Sequence, residues 1–226
     1  SQLIVMARHA ADILERRYGV SRDRISIVPH GVPSRPFIAP DTMKPRFGLD
    51  GRKVILTFGL LAPDKGIDTM IGAMPAIVAR HPDALYIVLG ATHPCLRRRE
   101  GEALRERLQA QAASLGVADN VRFIDHYVAL PELLDRLQAA DLYVTPYNNP
   151  AQVTSGTLSY AVGMGKPVIS TPYVHARELL AEEMGVLTPF GDSAAMAQAV
   201  IALLDDEHLR NRHAARAYAH GRDMVW

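Results

Sequence analysis

Short apolar runs recur along this chain at intervals wide enough to hold a helix, and that rhythm restricts the fold more than any other feature. They lie at 54–58, 85–89, 121–124, 142–145 and 168–171, and are rich in Val, Ile, Leu and aromatic residues. The first, VILTF, has no polar alternation, as expected of a parallel strand covered on both faces. Between the runs, residues 67–80 put Met70, Ile71, Met74, Ile77 and Val78 at helical spacing. Residues 97–115 oppose Leu104, Leu108 and Ala112 to a charged side, Pro131 opens a helix to 139, and a helix over 157–164 stops at Gly165 and Pro167. A short strand at 186–187, a helix from the cap Asp192 to 204 and an amphipathic helix over 207–220 follow. Such alternation predicts right-handed β-α-β units: an α/β fold with a Rossmann-like parallel sheet and helices on both faces.

The beginning reads separately. A strand at 3–6, a helix carrying Ala11, Ile13, Leu14 and Tyr18 and stopped by Gly19, and an alternating strand at 24–28 make one β-α-β unit. Pro33, Pro36, Pro40 and Pro45 then mark a stretch without period, expected to be a linker or surface loop. The expected plan is 1–32, a linker over 33–50, and a Rossmann-like domain over 51–226.

Ligands of such sheets sit beyond the carboxyl ends of the strands. The expected rim is 59–65, 90–94, 125–128, 147–157 and 171–176. Thr154, Ser155, Gly156 and Thr157 are small and precede a helix, whose N-terminus suits a phosphate. Taken alone, the stretch fits equally an ordinary turn that only caps a helix. Lys65 can act as a point charge on phosphate or stand as a solvated loop lysine. Gly59 permits close approach to the backbone, or simply ends a strand. Glu178 can accept from sugar hydroxyls, although an acid there is favoured by the helix dipole anyway. His30 fits a structural role as well as a catalytic one, and Arg97, Arg98 and Arg99 read as a solvated face.

Other classes are excluded. No Gly-x-Gly-x-x-Gly follows the first strand and no Gly-Lys-Ser/Thr loop occurs, so neither a nicotinamide fingerprint nor a triphosphatase loop is present. A net charge of +1 gives no reason to expect nucleic acid. The single Cys95 excludes an internal disulfide and a Cys-based metal site, and the nine histidines show no ligand pair with a third partner, so no metal is expected. No apolar run approaches the roughly 20 residues of a membrane span, and no secretory leader is evident. A cytoplasmic protein is expected. A chain that starts without Met, inside what looks like a strand, is expected to be a piece of a longer protein.

The motifs, in order, are Ile27-Val28-Pro29-His30-Gly31-Val32; Phe58-Gly59-Leu60-Leu61-x-x-x-Lys65-Gly66; Val121-x-Phe123; Ala140-Asp141-Leu142-Tyr143-Val144-x-Pro146; and Ala161-Val162-Gly163-Met164-Gly165-Lys166-Pro167-Val168-Ile169. Together they resemble the retaining glycosyltransferases of family four, also called group 1. The resemblance implies the C-terminal, donor-binding half of a two-domain GT-B fold, with residues 1–32 as the tail of an N-terminal acceptor domain. It implies that Gly59, Lys65, Ser155, Gly156 and Thr157 hold the donor diphosphate, and that Gln152, Tyr160 and Glu178 meet the sugar or ribose. The family's arginine after the glycine is Leu60 here, and its paired glutamates are Gln152 and Tyr160. No catalytic residue is assigned, and no cofactor beyond the nucleoside-diphosphate sugar substrate is implied. The implied partners are that donor and the missing N-terminal domain, with a second copy of the chain as a further candidate. The chain alone is expected to transfer no sugar. Two alternatives stay open. One is another GT-B enzyme: an epimerase using His30, His126 and Glu178, or a phosphorylase whose Schiff-base lysine is Lys166 or Lys65. The other is a non-catalytic nucleotide-binding or interaction module.

Overall fold

A computed structural model of the chain describes residues 2–181 and 184–226. Its first element is a β-α-β unit: β1 (Leu3–Val5), α1 (Arg8–Tyr18) and β2 (Ile25–Ile27), the two strands pairing in parallel as a sheet of their own. Gly19 ends α1 in the left-handed conformation expected of a C-terminal glycine, at φ 64°.

The remaining strands are β3 (Lys53–Phe58), β4 (Ala84–Leu89), β5 (Val121–Ile124), β6 (Leu142–Thr145), β7 (Val168–Ser170) and β8 (Gly185–Leu187). They form one parallel sheet in the order β5-β4-β3-β6-β7-β8. The chain therefore builds outward from β3 to β5, then crosses back to place β6 on the other side of β3. That reversal opens a crevice at the carboxyl ends of β3 and β6, where doubly wound folds bind ligands.

Both faces of the sheet are covered. Val54, Leu56 and Phe58 of β3 pack with α5 (Leu130–Ala139), α6 (Gly156–Gly163), α7 (Val174–Leu179) and α9 (Glu207–Gly221). Ile55, between them, packs on the other side with α2 (Ile67–Arg80), α4 (Ala103–Ser114) and α8 (Ser193–Asp205). This two-sided burial is why β3 reads as an unbroken apolar run. The single helix expected over 97–115 is two: α3 (Pro94–Glu100) and α4, broken at Gly101 with φ 61°. An L side chain is disfavoured there, and the helical period of the flanking leucines hid the break.

The proline-rich stretch holds short 3-10 turns at Pro40–Thr42 and Lys44–Phe47 and is fastened to the sheet. Val32 and Leu49 are buried in the core, and the Gln138 side chain donates to the Pro36 carbonyl at 3.0 Å. Lys44 is buried, donating to Asp41 at 2.7 Å and to Asp141 at 3.0 Å. Asp141 also accepts the Val54 amide at 2.7 Å, so one carboxylate ties this stretch to the start of β3. Burial opposes the Lys44 charge, but Asp41 and Asp141 prevail and hold its pKa above the ordinary lysine value. At the far end of the chain, Val32 donates to the Met224 carbonyl at 2.8 Å and forms a parallel bridge with Val225.

Removing one partner of a buried pair leaves the other charge uncompensated. Asp141→Ala should therefore destabilise the chain by about 3 kcal/mol, read from the urea midpoint by circular dichroism, whereas Asp41→Ala, at the exposed end, should cost under about 1 kcal/mol.

Candidate functional site

The crevice floor is set by two loops held together through their backbones. The loop after β3 runs through Gly59 to Gly66; the loop after β6 runs from Pro146 to Ser155. The Asn148 amide donates to the Asp64 carbonyl at 2.8 Å. Gly66, at φ 60°, lies so close to Pro146 that an added Cβ would stand 1.8 Å from its carbonyl oxygen. Only glycine fits there, on both conformational and steric grounds.

This contact brings Lys65 to the β6 loop. Its ammonium lies 4.1 Å from the centroid of the Tyr147 ring. Burial pulls the Lys65 pKa below the ordinary lysine value, opposed by the Asp64 carboxylate 4.0 Å away. The Tyr147 hydroxyl hydrogen-bonds Thr157 Oγ1 at 2.9 Å, and Thr157 Oγ1 lies 3.1 Å from Ser155 Oγ. Gly59 faces the same threonine: a Cβ added to it would meet Thr157 Cγ2 at 3.4 Å. Gly59, Lys65, Ser155, Gly156 and Thr157 thus come together at the sheet's switch point.

Ser155 caps α6, its Oγ accepting the Leu158 amide at 3.3 Å. Its own amide is not directed outward as expected; it donates to His175 Nδ1 at 2.9 Å. Ser155 and His175 are both buried, and the turn needs an internal acceptor for that N–H. The amides of Gly156 and Thr157, at the first turn of α6, have no acceptor among the described residues. Of the three amides expected to face a phosphate, those of Gly156 and Thr157 are open and that of Ser155 is not. The fully buried Tyr143 hydroxyl has no partner of good geometry among the described residues, although the Thr157 side chain and the Phe58 backbone lie close enough to act on it.

The expected sugar and ribose residues are spread around this centre. The Gln152 side chain donates to the Thr154 carbonyl at 3.2 Å, within its own turn. The Tyr160 ring packs edge-on against His30, with centroids 5.7 Å apart, and against Trp226 at 6.4 Å. Glu178 is engaged elsewhere: its carboxylate accepts the amides of Arg8 at 2.7 Å and His9 at 3.4 Å, at the start of α1. That is the favoured place for an acid on a helix, supplied here by another element. His30 lies over the α6 terminus, where a Cβ on Gly156 would meet its Nε2 at 2.7 Å. A cavity of about 480 Å³ opens where the first unit meets α6 and α7, with His30, Ser159, His175 and Glu178 in its wall; His126 is not part of it. Lys166 is remote from this chemistry. It is buried and donates to the carbonyls of Gln138 at 2.9 Å and Ala140 at 3.0 Å, at the end of α5, and burial pushes its pKa down to about 7.

A model of the glycosyl transferases group 1 matches residues 41–220. The chain belongs to that family. The lipopolysaccharide core biosynthesis mannosyltransferase LpsB of Rhizobium meliloti is 31% identical over 192 residues, covering 80% of this chain and 51% of the relative. A phosphatidyl-myo-inositol mannosyltransferase of Mycolicibacterium smegmatis is 29% identical over 217 residues, covering 94% and 52%. The chain thus spans about half the length of these glycosyltransferases. Among solved structures, sucrose-phosphate synthase from Thermosynechococcus elongatus superposes with a TM-score of 0.79 at 22% identity, covering 98% of this chain and 53% of that one. Anabaena HepE, solved with UDP and glucose, gives 0.79 at 20% identity, covering 100% and 59%. The fold matches that of GT-B glycosyltransferases. Among the described residues no helix is long and apolar enough to cross a membrane.

Sequence reasoning missed His175 and Tyr147. Neither belongs to a spacing pattern; the one available signal was that both stand on the predicted rim, in 147–157 and 171–176. His175 gives the site a pH dependence. Burial is the larger cause and His30 adds to it, outweighing Glu178, so the ring's pKa falls from 6.5 to about 4. The fold holds the neutral ring, while the unfolded chain takes up a proton near 6.5, so this stability is present in full above 6.5 and is lost as the pH falls toward about 4. The loss should reach about 3 kcal/mol. Urea unfolding across this range should show it, and His175→Asn, which cannot titrate, should remove that part of the slope.

Proposed function

We propose that the six-stranded domain binds a nucleoside-diphosphate sugar at the β3/β6 rim. Within a longer protein it donates that sugar to an acceptor with retention of configuration, in the cytoplasm. The observation that carries this reading is the convergence of Lys65, Gly59 and the two unengaged amides of Gly156 and Thr157 at the switch point. Membership of the family and the UDP and glucose bound to the structurally similar HepE support a nucleotide-sugar donor.

On this reading the diphosphate oxygens accept from the Gly156 and Thr157 amides, and the Lys65 ammonium stands against them as a point charge. As the bond to the sugar breaks, negative charge grows on the departing nucleoside diphosphate. A preoriented lysine and helix terminus stabilise it more in that state than in the bound substrate. Gln152 and Tyr160 offer an amide and a hydroxyl to sugar and ribose where the family carries acids. No residue is assigned as nucleophile or general base. The acceptor site lies on a domain that this chain does not include, so the chain alone transfers no sugar. A second reading, nucleotide binding without transfer, is favoured by Gln152 and Tyr160, since neither brings a negative charge to the sugar.

A thermal-shift screen followed by calorimetry tests the reading. One nucleoside diphosphate should raise the melting temperature, and Lys65→Ala should weaken its binding about 10- to 100-fold, the range for a hydrogen bond to a charged group. A chain indifferent to every nucleoside diphosphate tried would defeat the donor-site assignment. A radiolabelled sugar-transfer assay should give no product with the 226-residue chain; measurable turnover would show that the acceptor half is dispensable.

A further inference from the structure

We propose that Tyr147 is a positioning residue of the diphosphate site, fixing at once the cation that faces the ligand and the helix terminus that receives it. This inference rests on the donor-site reading above and deepens it. Tyr147 touches both halves of the site. Its ring face carries the Lys65 ammonium at 4.1 Å, and its hydroxyl holds Thr157 Oγ1 at 2.9 Å.

A buried tyrosine hydroxyl needs a hydrogen-bond partner, and here that partner is the site's own threonine. Tyr147 is fixed on every side. Its ring is 1% exposed and stacks on Tyr173, with centroids 5.5 Å apart and planes 17° from parallel. Its carbonyl accepts the Thr171 hydroxyl at 2.5 Å. The residue before it, Pro146, is in backbone contact with Gly66, and the residue after it, Asn148, donates to Asp64. The ring therefore cannot shift without moving the loop that bears Lys65.

Lysine is a flexible cation with several rotatable bonds, and its nearest carboxylate, Asp64, is 4.0 Å away. Without the ring, attraction to Asp64 would draw the ammonium toward that side. With the ring, an aromatic face holds the charge, and the aromatic's hydroxyl holds the threonine whose amide belongs to the cradle. Burial pushes the Tyr147 pKa up, so the hydroxyl stays neutral and never competes as an anion for the lysine.

A double-mutant cycle tests this. The probe is whichever of UDP, GDP and ADP binds the wild-type chain most tightly by calorimetry. Tyr147→Leu should weaken binding about 3- to 30-fold, the range of a partly desolvated cation–aromatic contact. Tyr147→Phe keeps the ring and should recover most of that loss. In a Lys65→Ala background, Tyr147→Leu should cost no more than Tyr147→Phe costs in the wild-type chain, because the cation is gone and only the hydroxyl's hold on Thr157 is left to lose. Equal losses in both backgrounds would make Tyr147 a structural residue only and overturn the proposal. Unchanged binding in Tyr147→Leu or in Lys65→Ala would overturn it as well, while leaving a nucleotide site in place. If the Leu variant melts below the assay temperature, Tyr147→Phe crossed with Thr157→Val supplies a second cycle, in which additive losses count against the proposal. Failure of the wild-type chain to bind any of the three would bring down the donor reading itself, and this inference with it.

Discussion

The site depends on a backbone contact: the loop after β3 lies against the loop after β6, with Gly66 at the Pro146 carbonyl and Asn148 donating to Asp64. Side chains cannot enforce such closeness, because any Cβ at position 66 would collide with main chain. The parallel pairing of β3 with β6 makes the approach available, and the glycine allows it to close. Lys65 and Tyr147 then meet as neighbours, although they come from different β-α units. The rim chemistry is a product of strand order before it is a product of residue choice.

The same sheet shows how buried polar groups are divided between its two ends. At the end away from the rim they act as ties. Asp141 joins Lys44 to the first amide of the β3 core, and Lys166 closes the end of α5 through two carbonyls. Each such group has a defined partner, as burial requires. At the rim the accounting is left open in part: two amides at the start of α6 and the Tyr143 hydroxyl lack partners of good geometry among the described residues. Open donors beside a half-buried cation, at the carboxyl ends of the strands, are what a phosphate-binding rim would require.

Much of this was legible in the sequence. The strands around VILTF and its successors announced themselves because burial on both faces removes polar alternation, and Gly19, Gly59 and Gly165 stand where the chain turns. The grouping of Lys65 with residues 155–157 followed from topology, since the rim of a parallel sheet collects the loops after its strands. Three things did not show. The 33–50 stretch has no period because its hold on the domain is a buried lysine and a buried leucine rather than a regular face. The break at Gly101 was masked by leucines that keep helical spacing on both sides. His175 claims the Ser155 amide, and Glu178 claims the start of α1, through contacts between residues distant in sequence, which no local pattern encodes.

Val32, where the chain enters the six-stranded layer, pairs with Val225, where it leaves. Entry and exit are thus adjacent threads of one narrow seam. Because the two ends are bridged to each other, fraying cannot begin at one of them without releasing the other.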